Sequence, residues 1–520
     1  MDGVVGRPRL AQPSKRCLPP KGQSGKGPHN EMAKKSVRRL FVDDAHIEKE
    51  FLVERKCHQP RNYIGNPLMV GDRFHDARSG VRYEEDEVPR EGGVEKLSYS
   101  LTPTSVVRDE EAGIFRMYYQ TRSEHLFDDM GYGGGTPVVA YAESHNGIHW
   151  HLPPLNRVLL KNKQENNILF YPPGSLATVV IDRQDRDASR RYKMLFYPPS
   201  ISFSPDGIDW TEPQKIEIPT HIGQGDGLTC LAGWDAPIGK YVAYFRPQVA
   251  RPEQLKDVEG KTVRLIGRSE SADLKDWSEL KAVLVPDEND PPGTEFQNIG
   301  AFFYEGMYLG LLCFHEGFEE ERPMRFPQRA PNVPVHAPML GRCYVELVSS
   351  WDGIHWNRLE DRSPFIQNEP GSLGSGVIWP ANAPVVLDTE LWFYFGMGFH
   401  SHGFQLVKMP GLAKLRRDGF VSLAAGDKEG WIVTKRFTCP GGRLFVNADA
   451  CGGQLSVSVI DADDYHFPYY AKVRCATLDQ DSLANAVTWV ERSDLTSLEG
   501  KEIRLKFYLR NADLYSFWFE

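Results

Sequence analysis

Residues 350–356 read SWDGIHW, and nearly the same phrase stands at 144–150 (SHNGIHW), 204–210 (SPDGIDW) and 271–277 (SADLKDW). Serine opens and tryptophan closes each copy at identical spacing, in a chain with only 11 tryptophans, so the chain carries an internal repeat. Asp or Asn followed by Gly permits the positive φ that a tight connection between antiparallel strands demands. Each phrase predicts a turn, with Trp150, Trp210, Trp277 and Trp356 folding back as packing anchors at equivalent places.

The surroundings of the phrase extend the pattern. Ahead of the first copy lie TSVVRDEEAGIFRMYYQTR (104–122), two β-rich runs joined by an acidic turn, and VVAYAES (138–144). The same grammar recurs at 177–199, 228–247, 299–316 and 382–398, which makes five units of about four strands. The fifth lacks the tryptophan phrase and continues through FQLVKMPGLAKLRRDGFVSL (404–423), where Asp418 and Gly419 mark the equivalent turn. Four-stranded sheets repeated radially make a β-propeller. The expectation is all-β: a disordered tail over 1–38, a five-bladed β-propeller over 39–427 with its blades between about 96 and 425, and a β-sandwich over 428–520. Alternating apolar residues and glycine turns from GWIVTKRF (430–437) to the end carry the sandwich reading.

Composition bounds the function. The chain has 520 residues, 61 basic and 70 acidic, with 41% hydrophobic residues and a net charge of -9. That charge argues against a nucleic-acid partner, which would require a basic stripe, and no apolar run reaches the roughly 20 residues that cross a bilayer. Eight cysteines without a CxxC pair give no metal site, and no cofactor is expected. Residues 1–38 are rich in Pro, Gly and Lys and lack the apolar core of a signal peptide, so the chain as written reads as cytoplasmic. Oligomeric state and structural calcium leave no mark in the sequence.

The five units with their DG..W turns, LRRDGFVSL, and the terminal RLFVN, GGQLSVSVID and IRLKFYLRNADLYSFWF resemble bacterial proteins related to glycoside hydrolase families 32 and 43 over roughly residues 38–520. The resemblance implies a five-bladed catalytic propeller in which acids on the innermost strands of different blades converge and cleave a glycosidic bond of a carbohydrate substrate. The chain departs from that pattern where GSLGSG (371–376) stands in place of a GSWD-like phrase, and the NDPNG and RDP boxes of family 32 are absent. Fructan hydrolysis is not implied.

Glycoside hydrolysis uses two carboxyl groups, one protonating the leaving oxygen and one activating water or attacking the sugar. Asp226, opening the third unit, and Glu295, opening the fourth, are the candidates, with Glu295 as the acid and Asp226 as the base, the swap of roles also open, and an inverting outcome favoured over a retaining one. Asn166, Asn167, Arg246, His315 and His400 are candidate substrate-binding residues: amides suit sugar hydroxyls, and Arg246 suits a carboxylate on an acidic sugar. Plain alternatives stand beside each. Asp226 between two glycines also fits a loop aspartate, and His400 in GMGFHSHGF fits a structural histidine. A non-catalytic carbohydrate-binding or interaction propeller is the second functional reading, and a sialidase-like enzyme the third.

Overall fold

A computed structural model describes residues 37–69, 101–123, 136–158, 166–170, 175–222, 229–250, 262–291, 293–317, 341–359, 361–399, 402 and 408–520. They are all-β; the helical pieces are single 3₁₀ turns such as Ala188–Arg190. The chain divides into two compact units, one formed by Met1–Cys57 with Val421–Glu520 and the other by His58–Phe420.

In the first unit, two sheets enclose one core. Gln454–Ile460 alternates strictly: Leu455, Val457 and Val459 enter the core while Ser456 and Ser458 take the other face, as period-two side chains on a pleated strand must. Across that core lie Leu444, Val446, Leu514 and Phe517 of the facing sheet. Three N-terminal strands, grouped with the repeats in the sequence reading, pair here instead: Arg39–Leu40 with Ala512–Phe519, Ile47–Phe51 with Gly430–Thr434, and Glu54–Cys57 with Val421–Ala425. Short strands without the turn phrase gave no signal of this.

The second unit contains the repeats. Sheet 1 runs Thr102–Asp109, Ile114–Ser123, Thr136–Ser144, Ile168–Phe170; sheet 2 runs Ser175–Ile181, Tyr192–Tyr197, Ser200–Ser204, Gln214–Lys215; sheet 3 runs Thr229–Asp235, Lys240–Phe245, Ile266–Ser271, Lys281–Leu284. Sheet 4, Glu295–Tyr304, Met307–Gly317, Gly341–Ser350 and Asn357–Arg358, touches sheet 5 through one parallel pairing, Cys343 with Val377. Sheet 5 is Val377–Pro380, Glu390–Gly398 and Met409–Arg416, completed by Arg61–Asn62 from far upstream.

Small polar side chains stitch the first strands together. The Val179 N–H donates to Ser105 Oγ at 2.7 Å, Leu231 N–H to Thr178 Oγ1 at 3.1 Å, and Ala301 N–H to Cys230 Sγ at 3.3 Å. A Cβ on Gly300 would fall 2.6 Å from the Ala381 carbonyl oxygen. Asn382 then reaches sheet 1, its N–H donating to Thr104 O at 3.0 Å. The neighbours therefore run from sheet 1 to sheet 5 and return to sheet 1.

The repeated phrase is a double side-chain cap. Serine oxygens accept from the N–H three residues on, at Gly147, Gly207, Leu274 and Gly353 (2.8–2.9 Å), while Asn146, Asp206, Asp273 and Asp352 each accept two further N–H groups. These local bonds fix the turn without any strand partner. Each tryptophan lies edge-on to an aromatic ring: Trp150 to Tyr394, Trp210 to Tyr118, Trp277 to Phe245 and Trp356 to Tyr244.

A second latch links adjacent sheets at the same end. Tyr192 Oη donates to Asp109 at 2.6 Å, Tyr241 Oη to Asp182 at 2.7 Å, and Tyr308 Oη to Asp235. Each acceptor stands at or just after the end of a first strand and each donor near the start of the next sheet's second strand. One end of the sheets is thereby tied down by polar bonds.

Candidate active site

Antiparallel pairing brings the starts of the first strands and the ends of the second strands to the opposite end. Glu295 opens sheet 4 and is buried, 5% exposed. Arg264, ending the ribbon strand Thr262–Arg264, donates to its Oε2 at 2.6 Å. His315 pairs with Glu295 in register, its Nδ1 4.0 Å from the same oxygen. The guanidinium gives the Glu295 carboxyl a fixed cationic partner and orients it.

A β-bulge follows at once, the pairing shifting between Phe296 and Asn298. The extra residue, Gln297, is clamped by Arg246, whose Nη1 donates to the Gln297 backbone oxygen at 3.1 Å and to its Oε1 at 2.5 Å. Bulges re-aim side chains beside functional sites. The Arg246 of the sequence reading is thus a neighbour of Glu295 through two residues of one strand.

Sheet 5 adds aromatic groups. The His315 ring lies 4.6 Å from that of His402, which stacks on Trp379 with planes 14° apart, and the Lys408 ammonium sits 3.9 Å from the Trp379 ring centroid. Beneath them Cys313 and Cys343 are fully buried, and burial pushes the Cys343 thiol well up, as expected of an inert structural cysteine.

Among the described residues, buried polar atoms at this end without a hydrogen-bond partner include Thr121 Oγ1, Thr229 Oγ1, Gln297 Nε2, Asn298 Oδ1 and Trp379 Nε1. Buried polar groups are nearly always satisfied, so these lone donors and acceptors on sheets 1, 3, 4 and 5 are candidate ligand contacts. At the opposite end the partnerless atoms include the indole nitrogens of Trp150 and Trp356.

Asp226 and His400 lie outside the described residues. Asn166 and Asn167 are both fully buried, and their amides serve the strand framework: Asn166 donates to Val158 O and accepts from Ile168 N–H, and Asn167 donates to Tyr119 Oη and Tyr141 O, both at 2.7 Å. Glu295, His315 and Arg246 come together. Sequence reasoning overlooked Arg264, Gln297, Trp379 and Lys408; Trp379, a tryptophan outside the repeated phrase, was the one with a readable signal. Among the described residues no three His, Cys, Asp or Glu side chains converge as a metal ion requires. No helix among them is long and apolar enough to cross a membrane.

No family model matches the chain, and no curated protein matches it. Similar solved structures include a glycosyl hydrolase from Bacteroides ovatus (14% identity, TM-score 0.39, covering 69% of this chain and 94% of that one). Another is a β-1,2-mannobiose phosphorylase from Listeria innocua bound to β-1,2-mannobiose (13%, 0.42, 68% and 96%). A third is a family 43 arabinoxylan arabinofuranohydrolase from Bacillus subtilis in complex with cellotetraose (13%, 0.38, 83% and 98%). Those activities belong to those proteins.

Proposed function

We propose that His58–Phe420 is a five-bladed propeller and that the chain is a glycoside hydrolase-like protein acting on a glycosidic bond of an oligo- or polysaccharide. The observation that carries this reading is the burial of Glu295, held by Arg264 and paired with His315, at the end of the sheets where partnerless donors and acceptors stand on sheets 1, 3, 4 and 5. Sugars present hydroxyls to such donors and acceptors and C–H faces to aromatic rings such as that of Trp379.

In this reading Glu295 and Asp226 supply the two carboxyl groups. The Arg264 ion pair is the ground for reading Glu295 as the carboxylate that activates water and Asp226 as the acid that protonates the leaving oxygen, the second of the two assignments open from the sequence. A carboxyl separation of about 6.5 to 9.5 Å gives inversion of the anomeric centre. Arg246 keeps Gln297 aimed at the substrate.

The test is hydrolysis of a panel of 4-nitrophenyl glycosides and oligosaccharides by the wild type, Glu295→Gln and Asp226→Asn. Turnover by the wild type that falls in both variants supports the reading. Oligosaccharide binding with no turnover in any of the three makes the chain a non-catalytic binding protein.

A further inference from the structure

The segment that leads into Glu295 is held by a set of charges whose inner members, Glu346, Arg358 and Asp290, are buried. Arg362 makes a two-pronged pair with Asp287, Nη1 to Oδ1 at 2.8 Å and Nη2 to Oδ2 at 2.7 Å, and Nη1 also reaches Asp290 Oδ1 at 2.9 Å. Arg358 donates to Asp290 Oδ2 at 2.8 Å. Its other nitrogens grip Glu346 through both carboxylate oxygens, at 2.9 and 3.0 Å. The Asp287 N–H closes the loop on Asp290 Oδ2 at 2.8 Å.

Arg358 also reaches the site directly. Its guanidinium carbon lies 5.4 Å from the ring centroid of Phe296, the residue after Glu295, and 5.5 Å from that of Phe314, the residue before His315. The same cation therefore packs against the neighbours of both site residues.

We propose that Glu346, Arg358 and Asp290 form a buried charge switch that sets how firmly the segment 287–294 presents Glu295. Two guanidiniums face three carboxylates, and Glu346, Arg358 and Asp290 have side chains 3%, 7% and 2% exposed. One negative charge is in excess over the five groups, and although Asp287 and Arg362 are partly exposed, Glu346 and Asp290 lie where water screens little. Glu346 carries that excess: burial pushes its carboxyl up to about 7, Asp290 adds to the rise, and Arg358 and Arg362 oppose it. Tyr344, two residues away, feels the same charge, its phenol pushed up by burial and then by Glu346 and Glu316.

The direction follows. Below neutrality Glu346 holds a proton, Arg358 and Arg362 are balanced by Asp287 and Asp290, and the segment is tight. Above it the third carboxylate is charged and repels Asp290, so the grip on 287–294 loosens. Arg358 is a positioning residue. Its bearing on catalysis rests on the role proposed for Glu295; the switch itself does not.

Amide hydrogen exchange over 285–298 tests it, in the full chain, between about pH 5.5 and 8.5 and corrected for intrinsic exchange. In the wild type, protection falls about fivefold through a midpoint near 7, while 192–204 in sheet 2 keeps its protection. Glu346→Gln, neutral and of the same shape, stays protected throughout; Arg358→Lys, unable to span two carboxylates, is poorly protected at every pH. A wild type without the step, or a folded Glu346→Gln that retains it, overturns the switch. If either variant fails to protect 192–204, the wild-type curve alone decides. A clear step in a protein inert towards glycosides leaves the switch standing and removes the hydrolase reading; cleavage without a step does the reverse.

Discussion

The Tyr244 hydroxyl donates to the carbonyl oxygen of Gly353 at 2.8 Å, and a Cβ placed on Gly353 would lie 2.7 Å from that hydroxyl oxygen. The same relation joins Tyr394 to Gly147 and Tyr118 to Gly207. In the third repeat the position of the tyrosine is taken by Leu195 and that of the glycine by Leu274, both fully buried in one cluster. A tyrosine hydroxyl demands glycine opposite it, and where the hydroxyl is missing a leucine fills the space at φ 68°.

Gly353→Ala should destabilise the second unit by about 1–3 kcal/mol, since alanine must adopt φ 69° and displace Tyr244. Combining Gly353→Leu with Tyr244→Leu, which copies the third repeat, should cost less than the sum of the two single changes. Urea unfolding of the four proteins measures the coupling; strict additivity would deny the exchange.

Tyr192→Phe should cost about 1 kcal/mol at neutral pH. Burial pushes the Asp109 carboxyl up, but hydrogen bonds from Tyr192, the Ala112 N–H and Arg116 more than offset this and hold it below the ordinary 3.8. A lowered carboxyl contributes stability above its unfolded value and loses it as pH falls through its folded value. The gap between wild type and Tyr192→Phe should therefore narrow below about pH 4, as acid-unfolding curves will report.

Glu346 acts with the opposite sign. Its carboxyl rises from 4.5 to about 7, so between those values the folded chain keeps a proton that the unfolded chain has released, and stability falls as pH rises across the window. Glu346→Gln should remove that slope and gain on the wild type by up to about 3 kcal/mol at pH 8. Thermal melts in matched buffers between about pH 4.5 and 8 give the comparison.

If the hydrolase reading holds, Glu295→Gln should lower turnover by about a hundredfold or more while oligosaccharide binding survives. Trp379→Ala should act chiefly on binding, raising KM more than it lowers kcat, because the ring offers contact rather than chemistry. Steady-state kinetics on the best glycoside of the panel separate the two.

The turn phrase made four of the repeats legible because its capping bonds are local: serine, Asx and the following N–H groups lie within five residues of one another. The same holds for Glu295, which stands where a turn-rich loop meets a strand. Arg264 could not be read, since what matters about it is a contact with Glu295 31 residues on, and nothing in TVRLIG announces a ribbon folded over the next sheet. Nor could the destination of the N-terminal strands, whose partners lie at the other end of the chain.

Asn62 pairs with Ala413, so the last strand of sheet 5 is among the first parts of the unit to be made. At roughly 5–20 residues per second, the ribosome delivers its partner on the order of tens of seconds later. Sheets 1 to 3 can form in turn as they emerge, but the fifth is held open until residues 409–416 have been made. A chain interrupted before residue 409 leaves this waiting segment without its partner strand, and sheet 5 incomplete.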